Sequence, residues 1–189
     1  HDALPISFLA MRFVSSVLVL VVSVSGGFAQ AFADEEEMLS GLRAVVSNGQ
    51  KSIDRIDHRL NFDWTDSQIE SRMADSQTVT WSGNLLVRTG GQHRFHAQLS
   101  GALSISVDGT KVLVANGSNE FRSGEFVDLS AGDHQILVEF QTTRKRSQAT
   151  GVVDDKLQLF WSSPDFTLEP IPGDVLTHSP DESANSAQH

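Results

Sequence analysis

The sequence predicts an all-β domain, an antiparallel sandwich or barrel, from three observations. Apolar residues recur with period two in several separate runs, as they do on a half-buried strand. Gly, Asp and Asn punctuate those runs at short intervals, where tight turns need them. No stretch carries a convincing long helical stripe, and no internal repeat is visible.

The first segment to justify is not part of that domain. Met11-Arg12, the apolar run 13–24, Ser25-Gly26-Gly27 and the small-residue site Ala31-Phe32-Ala33 follow the order of a secretory signal. Cleavage is expected after Ala33. The apolar run is shorter than the roughly 18 to 20 residues that cross a bilayer, so removal is expected and no membrane span remains afterwards. Residues 1–10 read as upstream translation or a cloning remnant, 11–33 as the signal peptide, and 34–40 as an acidic lead-in opening on Asp34-Glu35-Glu36-Glu37. The chain is therefore expected in the periplasm, at the cell surface or secreted, with a weak lean towards a bacterial source from the absence of cysteine.

Residues 38–60 fit two patterns. Met38, Leu42, Val45 and Val46 suit a helical stripe, whereas Leu42, Ala44 and Val46 suit strand alternation; Gly41 and the Val45-Val46 pair favour the strand. Further on, Phe95, Ala97 and Leu99 form one run and Leu103, Ile105 and Val107 the next, both read as half-buried strands. Asp108-Gly109 predicts a hairpin into 111–115, and Asn116-Gly117 and Ala131-Gly132-Asp133 predict further turns. Ile136, Val138 and Phe140, then Leu157, Leu159 and Trp161, continue the alternation. After Pro164, Pro170 and Pro172 the chain turns polar, and 174–189 reads as a linker or tail; if it is a linker, a covalently linked neighbouring domain is expected.

Composition limits the functions. Among 189 residues the formal net charge is -10, so the concentrated positive surface that nucleic acid requires is absent. Arg144-Lys145-Arg146, the one dense basic cluster, reads as a solvated loop. With no cysteine, disulfides, thiolate metal sites and thiol nucleophiles are excluded. No Gly-x-Ser-x-Gly elbow and no Gly-Lys-Thr phosphate loop occurs, and nothing argues for catalysis in this domain, which leaves an accessory part of a larger enzyme chain open.

The ordered series of segments carries a resemblance. Gly41-Leu42-Arg43-Ala44, Ile56-Asp57-His58-Arg59-Leu60-Asn61-Phe62-Asp63-Trp64 and Val79-Thr80-Trp81-Ser82-Gly83-Asn84-Leu85 resemble the opening half of a PA14 domain. Gly91-Gln92-His93-Arg94-Phe95, Leu99-Ser100-Gly101, Ser106-Val107-Asp108-Gly109-Thr110-Lys111-Val112, Leu129-Ser130-Ala131-Gly132 and Leu157-Gln158-Leu159-Phe160-Trp161 are similar to its second half, in the same order. The resemblance implies an antiparallel β-sandwich or barrel of PA14 type over 41–173, found as a module in exported enzymes, adhesins and toxins and often binding carbohydrate.

In the calcium-dependent adhesins of that family two adjacent aspartates follow the Leu-Ser-Gly-like strand end and hold an ion that contacts sugar hydroxyls. Ala102 and Leu103 stand there in this chain, and the asparagine those adhesins use in a later loop has no counterpart in 141–155. Calcium takes about six to eight oxygen ligands, which these side chains do not supply, so no metal and no cofactor is expected. Asp154-Asp155 alone offers too few ligands, and His93 and His96 point to opposite faces of a regular strand and cannot chelate together.

The expected partner is a glycan or cell-wall polysaccharide, met by a surface built from 100–103 and 141–155. Its candidate residues are Ser100, Gly101, Arg144, Asp154 and Asp155, with Trp64 as the tryptophan open to stacking on a sugar ring. Trp81 and Trp161 are assigned to the core. Asn116-Gly117-Ser118 has the form of a glycosylation sequon but reads as a turn. The alternative is a structural or protein-interaction spacer attached to a further exported domain.

Overall fold

Alternating burial along the strands 42–47, 132–141 and 156–163 shows how the sequence becomes a sheet. In β2 (Leu42–Ser47) the residues Leu42, Ala44 and Val46 are buried and their neighbours half-buried. A computed structural model describes residues 38–47, 49–63, 78–142 and 156–180, all within one unit of the chain, 35–189. Residues 11–33, expected to be a signal peptide, and most of the expected acidic lead-in lie outside the described residues.

The other strands are β1 (Leu39–Ser40), β3 (Ser52–Asp57), β4 (Asn61–Asp63), β5 (Thr78–Val87), β6 (Gly91–Val107), β7 (Thr110–Leu129), β8 (Gly132–Gln141), β9 (Lys156–Ser163), β10 (Phe166–Pro170) and β11 (Leu176–His178), with one 3-10 turn at Gly173–Val175. They join into one antiparallel sheet of eleven strands. The sheet is curled: β6 pairs β9 along 94–99 and β8 along 102–107, so one strand serves both halves. Inward residues of both halves, among them Trp81, Phe140 and Ile105 from one and Phe95, Leu99 and Leu159 from the other, form a single core. Across that core Phe62 of β4 stacks on Trp81 of β5 with centroids 5.4 Å apart. The buried Trp81 indole donates to Asp57 Oδ2 at 2.8 Å, which removes the cost of an unpaired N–H.

Three expectations change. The runs 95–99 and 103–107 are one strand, bent at Ser100-Gly101, rather than two. Asn116-Gly117 lies inside β7, where Leu99 faces Glu120 and Gly101 faces Gly117. The turn chemistry there makes a bulge, with Asn119 at a φ of 59°, instead of a chain reversal. Finally, the sheet continues past 173: β11 pairs β5 through Leu176 and Thr177. Gly83 permits this, because a Cβ there would sit 2.3 Å from the Thr177 carbonyl oxygen. His178 is buried with its Nδ1–H donated to the Gly41 carbonyl at 2.9 Å, so a polar residue enters the core satisfied.

The predicted Asp108-Gly109 hairpin forms, with both residues at positive φ (49° and 76°), the pattern a two-residue turn requires. Asp108 Oδ1 accepts the Gln135 N–H at 2.9 Å, and Oδ2 accepts His134 Nδ1–H at 2.6 Å, tying this turn to β8. The hydrogen bond from His134 holds Asp108 below its ordinary 3.8, and the same bond holds His134 above its ordinary 6.5. The His134 contribution is complete below 6.5 and is lost as pH rises through its raised pKa. The Asp108 contribution is complete above 3.8 and is lost as pH falls through its lowered pKa. Asp108→Asn keeps the turn and the Gln135 acceptor but removes the charge. Its stability deficit, at most about 1 kcal/mol because the Asp108 side chain is half-exposed although His134 is buried, is expected to be largest between those two values and to shrink in alkaline solution. Urea titrations of both proteins at about pH 5.5 and about pH 8.5 measure it.

Candidate functional site

Strand register brings the sequence-selected segments to one end of the sheet. Thr78 of β5 faces Gln141 of β8, Gln141 faces Ala102 of β6, Leu99 faces Leu157 of β9, and Asp63 of β4 faces Lys156. The described residues that flank segments 64–77 and 143–155 therefore meet at the bend of β6. Trp64, Arg144, Asp154 and Asp155 belong to those segments and lie outside the described residues.

Ser100 and Gly101 are the two candidate residues that are described, and both sit in the bend itself. Ser100 is 5% exposed, and its Oγ accepts the Asn119 N–H at 2.9 Å. Gln98 Nε2–H donates to Asn119 Oδ1 at 3.1 Å, so Asn119 in the β7 bulge is held twice from β6. Gly101 has a φ of 140°, and a Cβ there would lie 2.5 Å from the Gln141 carbonyl oxygen and 2.9 Å from the Phe140 ring. The backbone of β8 occupies the space a side chain would take. Arg122 pairs with Glu120 beside the bulge.

The two positions implied for calcium do not suit it. Ala102 is half-buried and pairs with Gln141, while Leu103, 3% exposed, points into the core instead of contributing to a surface over 100–103. Neither has a side-chain oxygen, and among the described residues no three of His, Asp and Glu come together as metal ligands do.

The histidines separate as the two-residue period requires. His93 is buried on the core side with its ring 5.7 Å from that of Trp161. His96 is on the other face, bonded to Ser123 Oγ at 2.8 Å and Ser162 Oγ at 3.0 Å and stacked on Phe121. Burial, then the nearby Arg94 charge, lowers the His96 pKa below 6.5. Trp81 and Trp161 are 0% and 4% exposed, the core positions expected of them.

Sequence reasoning missed a cleft of about 450 Å³ at the opposite end of these strands, lined by Arg88, His93, Trp161, Phe166, Glu169 and Asp174 among others. Its residues come from two separate stretches, 88–93 and 161–175, so no local motif marked it. The single available signal was the run of carboxylates near the prolines that follow Trp161.

The comparisons agree with this geometry. Residues 30–174 match the family model described as the PA14 domain, while no curated protein sequence matches the chain. Among solved structures, an anti-sigma factor domain-containing protein superposes with a TM-score of 0.65 at 22% identity over 75% of this chain, which spans 49% of that protein's length. A PA14 sugar-binding domain from an RTX adhesin gives 0.57 at 13% identity, covering 75% of this chain and 99% of that one. The Epithelial Adhesin 9 A domain from Candida glabrata, solved with Galβ1-3GlcNAc, gives 0.57 at 11% identity, covering 76% and 91%.

Gly101→Ala is expected to cost on the order of 3 kcal/mol, since both the clash and the positive φ oppose it. Gly91 has a φ of 147° with nothing within 4 Å, so Gly91→Ala isolates the backbone share and is expected to cost clearly less. Chemical denaturation of the two variants gives the comparison.

Proposed function

Because the chain belongs to the PA14 family, over residues 30–174, we propose that it is a non-catalytic, exported accessory module that binds carbohydrate without a calcium ion. The observation that carries this reading is the bend of β6. It gathers the flanks of segments 64–77 and 143–155 at one end, while Leu103 is committed to the core where a metal ligand would be needed. The RTX adhesin domain and the Candida glabrata adhesin, named as sugar-binding and as a glycan complex, support carbohydrate as the ligand class.

The residues we assign to ligand contact are Trp64, Arg144, Asp154 and Asp155 of the two connecting segments, with the Ser100-Gly101 bend beneath the site. Ser100 shapes that floor: it is 5% exposed and its hydroxyl accepts the Asn119 N–H. Without a cation to gather sugar hydroxyls, affinity rests on side-chain hydrogen bonds and one stacking face, which favours weak binding strengthened by repeated ligand units. A second reading, a spacer joined to a further exported domain, is favoured by the match to about half the length of the anti-sigma factor domain-containing protein.

A glycan array probed with the full chain, with and without a chelator, separates these readings. Binding that survives chelation is expected. Binding abolished by the chelator contradicts the calcium-free mode, and silence in both conditions leaves the spacer.

A further inference from the structure

The cleft at the end of the sheet opposite the β6 bend is organised by three rings. Trp161 lies 5.1 Å from Phe166 and 5.7 Å from His93, and His93 lies 6.1 Å from Phe166, as ring centroids. The Trp161 indole N–H donates to Glu169 Oε1 at 3.1 Å, which fixes that carboxylate at the wall. Glu169 Oε2 has no hydrogen-bond partner among the described residues.

His93 is the buried polar group of the site. It is 2% exposed, and a carbonyl can only accept, so its Nδ1–H donates to Gly91 O at 2.9 Å. In the neutral ring Nε2 then carries a lone pair with no partner among the described residues. That nitrogen is not one of the unpartnered atoms sealed inside the core, and His93 is a lining residue of the cleft. On the rim, Arg88 Nη2–H donates to Asp174 Oδ2 at 2.7 Å, with Thr89 and Asp165 beside them.

These groups limit the ligand by chemistry. Three carboxylates, Asp165, Glu169 and Asp174, against one guanidinium disfavour an anion. A metal ion needs several ligands converging on one point, and no such group of His, Asp and Glu exists among the described residues. A flat apolar molecule would bury Glu169 Oε2 and His93 Nε2 unpaired, which is costly. What remains is a ring with one apolar face for Phe166 and several separated hydroxyl donors around it. The volume falls within the range of about 300–1,000 Å³ common for small-molecule sites.

We infer that the cleft formed by His93, Trp161, Phe166 and Glu169 is a second sugar subsite, taking one neutral pyranose ring at the end of the domain remote from the β6 bend. This rests on the carbohydrate reading above and extends it, since a domain with a site at each end can bridge two glycan segments. Glu169 Oε2 and His93 Nε2 accept from ring hydroxyls, the free N–H groups of Arg88 donate to them, and Phe166 carries the apolar face.

Glu169→Gln tests the assignment cleanly, because the amide oxygen still accepts from the Trp161 indole while the free acceptor becomes a donor. Galactose, glucose, N-acetylglucosamine and glucosamine are titrated into the full chain up to the millimolar range, following the indole N–H signals by NMR. The signal that differs in Glu169→Gln identifies Trp161. It is expected to move on sugar addition, and Glu169→Gln is expected to weaken that binding about tenfold with an unchanged Tm. A still Trp161 signal, in a chain that binds on the glycan array, overturns the second subsite and leaves the carbohydrate reading standing. Silence in both the titration and the array overturns both. Binding of glucosamine alone overturns the neutral ring.

Discussion

β6 can serve β9 and β8 together only if its inward side chain is missing where the strand turns, and Gly101 supplies that gap. The backbone of β8 and the ring of Phe140 fill the space a Cβ would occupy. From this one close approach the two halves of the sheet are brought over a common core, with residues before the bend, such as Phe95 and Leu99, meeting those after it, such as Leu103 and Ile105. The β7 partner strand follows the bend by opening a bulge, and Ser100 and Gln98 hold that bulge in place through Asn119. Position 103 then has no freedom to face solvent, because its parity is fixed by the pairing of 102–107 with β8.

Much of this was legible in the sequence, in one respect more than the runs taken singly suggested. The inward phase of 95, 97 and 99 continues without reset through 101 to 103, 105 and 107, which is the pattern of one strand with a glycine at its bend. The Asp108-Gly109 turn, the burial of Trp81 and Trp161, and the separation of His93 from His96 followed from period and turn chemistry alone. Asn116-Gly117 misled because a residue able to take positive φ suits a bulge as well as a hairpin. The strand at 176–178 was hidden because its entry depends on Gly83, on a strand far away in sequence, and on the Gly41 carbonyl that receives His178. The cleft at the far end was hidden for the same reason: Glu169 becomes a fixed wall only through the Trp161 indole, and His93 only through Gly91.

The two ends of the domain differ in how they are built. At the bend, Ser100 holds Asn119 of the β7 bulge through its hydroxyl. At the opposite end, Glu169 and His93 are each fixed by one hydrogen bond and retain one acceptor, the arrangement of a preorganised site. A net charge of -10 is compatible with both, since a neutral polyol neither requires nor opposes it.

Leu103, two places after Gly101, is held by the core and is not available to a metal. Leu103→Asp tests it most directly, by urea unfolding with calcium and with chelator. A loss of more than about 3 kcal/mol, equal in both conditions, is the predicted result, because a leucine is removed and an unpaired carboxylate is buried. Near-native stability, or stability restored by calcium, would contradict it.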